Sequence, residues 1–205
     1  MHSPSYALRL RWLDALLPNV PFDGWTEAAA EKAAETAKLT DGEKALAAPH
    51  GLADLVGAFF DMAQDTAKSE LITADLSEFG VREKVAKGVR AWLAALEPNK
   101  EAARRAAVRG FLPWVAGDAL QRTYSVADMI WTGIGDTSED HNKYTKRGLL
   151  ASAIPLIFMR WLDEENEDAL NDYIFRRLTG AMKFGQTAGK IAAPLIGFAN
   201  KFTRS

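Results

Sequence analysis

Cysteine is absent from this 205-residue chain. That removes disulfides, thiolate metal sites and a cysteine nucleophile, and it fits a reducing compartment. Histidine is nearly as scarce. His2, His50 and His141 stand far apart, and none falls in a Glu-x-x-His or His-x-x-x-His pair that would set two ligands on one helical face. No metal site and no cofactor are expected. Acid pairs such as Glu139 with Asp140, or Glu164 with Glu165, read as caps and loops rather than as a general acid and base. Gly133-Ile134-Gly135 and the glycines of 185–190 follow no strand and lack the spacing of a phosphate cradle, so helix ends account for them better. No catalytic residue is expected.

Long apolar runs are missing too. The best candidate, 153–159, is ended by Arg160, far short of the roughly 18 to 20 residues a membrane span needs. Residues 1–10 hold no apolar stretch with a small-residue cleavage site, so a secretory signal is not expected. Strand-like alternation is hard to find, whereas helical spacing recurs throughout. An all-α fold follows. Helices are expected at 6–17, stopped by Pro18 and Pro21; at 27–38, capped by Thr26; at 41–48; and at 52–74. Longer ones are expected at 81–96, 100–114, 118–134, 138–162 and 168–184, with Asp136-Thr137-Ser138 offering N-cap side chains and Pro155 bending its helix. Three short helices before a long one suggest a helix-turn-helix head over 1–75, followed by a helical bundle over 76–187 and a tail over 188–205.

A net charge of −2 hides an asymmetry. From Tyr173 to the end there are six basic residues and no acid. If the tail is helical, Ile191, Leu195, Phe198 and Phe202 share one face, with Lys190, Lys201 and Arg204 on the other. Such a helix either lies on an anionic membrane surface or docks on the protein's own body. Residues 1–60 instead carry five basic side chains against eight acidic ones, and the would-be recognition helix, 41–48, offers one lysine. Nucleic acid is therefore not an expected partner.

The later helices are rich in large apolar side chains. Trp92, Leu96, Phe111, Trp114, Ile130, Trp131, Ile134, Leu150, Ile154 and Phe158 are the candidate lining of a lipid cavity between helices. Most of such a set is core, and periodicity does not separate a filled core from a tunnel.

Two blocks carry a resemblance. Leu13-Asp14-Ala15-Leu16-Leu17-Pro18-Asn19-Val20-Pro21-Phe22-Asp23-Gly24-Trp25 looks like the opening of the ubiquinone-biosynthesis accessory family, coenzyme Q biosynthesis protein nine. Ala127-Asp128-Met129-Ile130-Trp131, leading to Gly135-Asp136-Thr137-Ser138-Glu139-Asp140-His141-Asn142-Lys143-Tyr144-Thr145-Lys146-Arg147, resembles that family's most specific motif. The resemblance implies a fold like TetR-type regulators with DNA binding lost, a lipid pocket in the later helices, homodimerisation through the last two long helices, and a membrane-meeting tail. It also implies a role: presenting an isoprenoid, polyprenylated quinone precursor, or another apolar lipid, to a di-iron quinone hydroxylase. The setting it implies is the cytoplasmic side of a bacterial inner membrane or the matrix side of a mitochondrial one. Asp136, Asn142, Lys143, Tyr144 and Arg147 fall in the block associated with partner docking, and Lys143 stands where the family usually has tryptophan. The competing class is a TetR-family ligand-sensing transcription regulator.

The tail yields a test. Burial of each large apolar side chain contributes roughly 1.5 to 3 kcal/mol at most, against about 1 for each cation near an anionic surface. Truncation after Gly189 is expected to abolish liposome flotation, and Phe198→Asp with Phe202→Asp to abolish it even at low salt. Flotation of the truncated protein equal to that of the intact chain would make the tail an ordinary packed helix.

Overall fold

The computed structural model describes residues 4–108, 119–138 and 141–183. Among them the chain is all-α, with no strand. The helices are α1 (Pro4–Leu16), α2 (Val20–Asp23), α3 (Glu27–Thr36), α4 (Asp41–Ala47), α5 (Leu52–Thr73), α6 (Val81–Leu96), α7 (Lys100–Val108), α8 (Ala119–Gly133) and α9 (His141–Asp163). A further helix, α10, covers residues 167–183. No helix among the described residues is long and apolar enough to cross a membrane. The described residues fall into two compact units, one within Met1–Ala74 and Arg90–Arg122, the other within Asp75–Val89 and Thr123–Ser205. The first unit thus includes the described residues 90–108 and 119–122 of α6, α7 and α8.

In the first unit α1 packs on α3, α4 and α5. The contact with α3 is close because α3 buries only alanines, Ala29, Ala30, Ala33 and Ala34, and the Trp12 indole donates to the Ala30 carbonyl at 2.7 Å. Trp25 is fully buried, donates to the Ala102 carbonyl at 2.9 Å and packs against Phe59. Pro18 and Pro21 do not simply stop the first helix. They sit in the first turns of a 3-10 segment, Leu17–Asn19, and of α2, where a missing N–H removes no hydrogen bond. Thr26 caps α3 as expected, its hydroxyl accepting from Ala29 N at 3.2 Å. That helix ends at Thr36, short of 38, because Lys38 turns to φ +52° and the amides of Lys38 and Leu39 close back on Glu35 and Ala34. Thr40 and Glu43 form a capping box on α4.

The second unit holds the first half of α6, most of α8, and α9 and α10. Helix α9 repeats large apolar residues at helical spacing, Leu150, Ile154, Ile157, Phe158 and Trp161, all buried. Pro155 lies inside this helix. Helix α10 starts one residue before the expected 168 because Asn166 caps it, accepting from Ala169 N at 3.0 Å. Gly135, at φ +84°, ends α8, with Gly135 N and Asp136 N returning to the carbonyls of Thr132 and Trp131. The glycine is a helix terminator, as its position suggested.

Helices α6 and α8 touch at Gly88. A Cβ there would lie 2.6 Å from Cγ2 of Ile130, a stiff β-branched side chain that is itself fully buried. Gly88→Ala gains about 1 kcal/mol of helix propensity but overpacks at a cost of roughly 1 to 3. We expect the net to be destabilising, lowering Tm by roughly 2 to 6 °C in a thermal melt. A Tm at or above the wild-type value would show that Ile130 yields freely.

Candidate functional site

The main candidate is an apolar cavity of about 310 Å³ in the second unit. Val81 and Val85 on α6, Trp131 on α8, Leu149 and Leu150 on α9, and Leu178 on α10 supply most of its wall. Four helices contribute to this wall. Polar groups enter at the edge: Arg82, whose guanidinium donates to the Thr179 hydroxyl at 3.2 Å, together with Thr145 and Lys146.

Beside the cavity lies a charged network that ties α8 to α9. Arg147 is 2% exposed and lies between two carboxylates, donating to Asp128 and, at 3.2 Å, to Asp136. Asp136 also accepts from Lys146 at 3.0 Å and from the Ser138 hydroxyl at 2.9 Å. Its carboxylate therefore serves this network, where the sequence suggested a helix cap. Burial on its own would raise the Asp136 carboxyl, but hydrogen bonds from Lys146, Ser138 and Arg147 and the Lys146 charge hold it below its ordinary value. Burial works against the Arg147 charge as well, and hydrogen bonds to Asp128 and Asp136 outweigh it and raise its pKa. Lys146 additionally donates to the Ser138 hydroxyl at 2.8 Å, and its ammonium lies over the Trp131 ring, 5.2 Å from the centre.

Of the residues suggested for lipid contact, Trp131 and Leu150 line the cavity. Ile130, Ile154 and Phe158 do not: all three are fully buried and fill the core instead. Ile134 is half-buried and is not in the wall. Trp92 and Leu96 are fully buried in the first unit. Phe111 and Trp114 lie outside the described residues. The wall also holds Val81 and Val85 of α6, Leu149 of α9, and Leu178 and Met182 of α10, which sequence reasoning did not name as lining. The four-residue spacings of Val81 with Val85 and of Leu178 with Met182 were the available signal.

The suggested partner residues divide. Tyr144 is 66% exposed and Lys143 is partly exposed, whereas Asp136 and Arg147 face inward in the network just described. The Asn142 side chain lies outside the described set. So do the suggested membrane residues Lys190, Ile191, Leu195, Phe198, Lys201, Phe202 and Arg204. Among the described residues no group of three or more histidines and acids could hold a metal ion.

Fold and site define an all-helical protein with an apolar cavity walled by four helices and bounded by a buried arginine–carboxylate network. Comparison with known proteins gives the particular kinship. The COQ9 family matches residues 116–185, the segment that supplies most of the cavity wall and the whole network. The chain is also similar to three curated relatives named ubiquinone biosynthesis protein COQ9, mitochondrial. It is 28% identical to that of Homo sapiens over 195 residues, 90% of this chain and 60% of the relative. With that of Rattus norvegicus it shares 28% over 193 residues, 88% and 61%, and with that of Bos taurus 28% over 196 residues, 90% and 60%. The chain thus spans about three fifths of the length of these relatives. The resemblance carried by the two sequence blocks holds.

The network sets a stability prediction. Removing one partner of a buried pair costs about 3 to 5 kcal/mol. Asp128 is 47% exposed and can regain water, and Asp136 keeps Lys146. Arg147→Ala is therefore expected to cost roughly 2 to 4 kcal/mol by urea unfolding at pH 7. Because the Asp136 carboxyl is depressed in the folded state, its contribution is present at neutral pH and is lost as pH falls below about 4 through the folded-state value. The deficit of Asp136→Asn should therefore shrink in that window. A deficit independent of pH would remove the carboxylate charge from the account.

Proposed function

We propose that this chain binds an apolar lipid, a polyprenylated quinone precursor, as an accessory protein of ubiquinone biosynthesis, and presents it at a membrane surface to the di-iron hydroxylase that modifies it. On this reading the chain performs no covalent chemistry of its own and works as a homodimer through α9 and α10. The observation that carries it is the apolar cavity lying mostly within the segment that matches the COQ9 family. The names of the curated relatives support the pathway and a mitochondrial setting, and the membrane surface of this reading is the matrix face of the inner membrane or its bacterial counterpart. The dimer reading is supported by Leu156 and Met159 of α9, which are 47% and 46% exposed, and by the α9–α10 groove that Leu156 lines.

The head supports the accessory reading over that of a transcription regulator. Lys44, the one lysine of α4, is engaged by Glu31 at 2.7 Å and Asp41 at 2.8 Å, and Arg11 is engaged by Glu43 at 3.4 Å. A helix whose cations are already neutralised releases few counterions from DNA.

Native mass spectrometry of the purified full chain, with solvent extraction of whatever co-purifies, tests both parts. The expected result is a dimer mass carrying isoprenoid quinone-type lipid. Bare protein, even after incubation with quinone-loaded vesicles, would sink the lipid role, and a monomer mass across micromolar concentrations would sink the dimer.

A further inference from the structure

We infer that the hydrogen bond from Arg82 to Thr179 is a strap across the mouth of the cavity, one that opens for the chain of an apolar ligand to pass. The inference rests on the reading of the cavity as a lipid site and concerns how that site is entered. Next to the cavity lies a second hollow of about 510 Å³, lined by Gly80, Val81, Arg82 and Glu83 at the start of α6 and by Phe175 and Met182 of α10. Val81, Arg82 and Met182 line both, so the two hollows meet at these three side chains. Two of the three are apolar and yet open to solvent, Val81 at 54% and Met182 at 37%. They give the mouth apolar lips.

On α10, Thr179 stands one turn from Phe175 and one turn from Met182, so the three share one face of the helix. A bond reaching from Arg82 on α6 to Thr179 therefore crosses the second hollow between two side chains that line it. The chemistry of this bond suits a closure that opens. It is 3.2 Å long, and its acceptor is a neutral hydroxyl rather than a carboxylate. That hydroxyl stays satisfied when the strap is open, because it donates to the Phe175 carbonyl at 2.7 Å. Arg82 is exposed and makes no ion pair among the described residues, so water takes the place of Thr179 when the bond breaks. Neither end is stranded as an unmet buried group. A closure of this kind acts on passage in both directions and leaves the binding equilibrium alone, which separates it from a contact that holds the ligand.

The test uses the full chain and octylpyrene, with uptake and release followed by stopped-flow energy transfer from tryptophan, one of which, Trp131, is in the cavity wall. Arg82→Met and Thr179→Val each remove the strap and keep most of the side-chain volume. Each is expected to speed both association and dissociation about three- to tenfold, the effect of one hydrogen bond, with Kd unchanged. Because both remove the same bond, the double variant should be no faster than either single one. Arg82→Cys with Thr179→Cys introduces the only two thiols of a chain that has no cysteine. Joined by a reducible bis-thiosulfonate linker, they should slow both rates at least about tenfold, and reduction should restore them. Unchanged rates in the two single variants would overturn the strap, whatever the linker does. A change in Kd carried by dissociation alone would make Arg82 a binding contact and overturn it as well. A wild-type chain that takes up no octylpyrene would instead strike the lipid reading itself.

Discussion

Arg147 is the point on which the second unit turns. A guanidinium at 2% exposure is tolerable only when its donors are met, and the two carboxylates that meet it come from α8 and from the turn that follows it. The pairing fixes which face of α9 looks toward α8. The turn must then deliver Asp136 at one height, which the left-handed Gly135 does by ending α8 with two back-bonded amides. Since Lys146 is the residue before Arg147, the same pairing carries Lys146 to the cavity edge, where it shares the Asp136 carboxylate. One acidic side chain thereby joins the structural cation to the cation of the site.

The apolar residues of this unit have two distinct roles. Ile130, Ile154 and Phe158 are fully buried and fill the interior, and Gly88 lets α6 come close enough to α8 to seal it there. The cavity is lined instead by Val81, Val85, Leu149, Leu178 and Met182 together with Trp131 and Leu150. Large aromatic residues mark where packing is strongest. The cavity opens beside them, lined mostly by medium aliphatic residues that leave volume unfilled.

The first unit follows a different logic. Its helices approach closely because α3 presents alanines, and two of its buried tryptophans, Trp12 and Trp25, donate their N–H groups to backbone carbonyls. Trp131 in the second unit has no such acceptor among the described residues. Trp12 and Trp25 thus pin neighbouring segments through backbone carbonyls, whereas Trp131 forms part of a cavity wall.

Much of this was legible in the chain itself, because helices, caps and terminators depend on neighbours a few residues apart. Apolar spacing announced α5, α6 and α9; Thr26 announced its helix start; and Gly135 announced a helix end. The two motif blocks pointed to the family that the comparisons then matched. Boundaries slipped where local chemistry had two solutions, as at Pro18 and Pro21, which fit equally after a helix end or inside the first turn of the next. The placement of Asp136 and Arg147 did not follow from the motif that contains them. An arginine and an aspartate eleven residues apart read equally well as surface groups or as a buried pair, and only the packing of α9 against α8 selects the second. The same holds for the cavity: periodicity determines which face of each helix is apolar, while the angle at which four such faces meet determines where they fail to fill space.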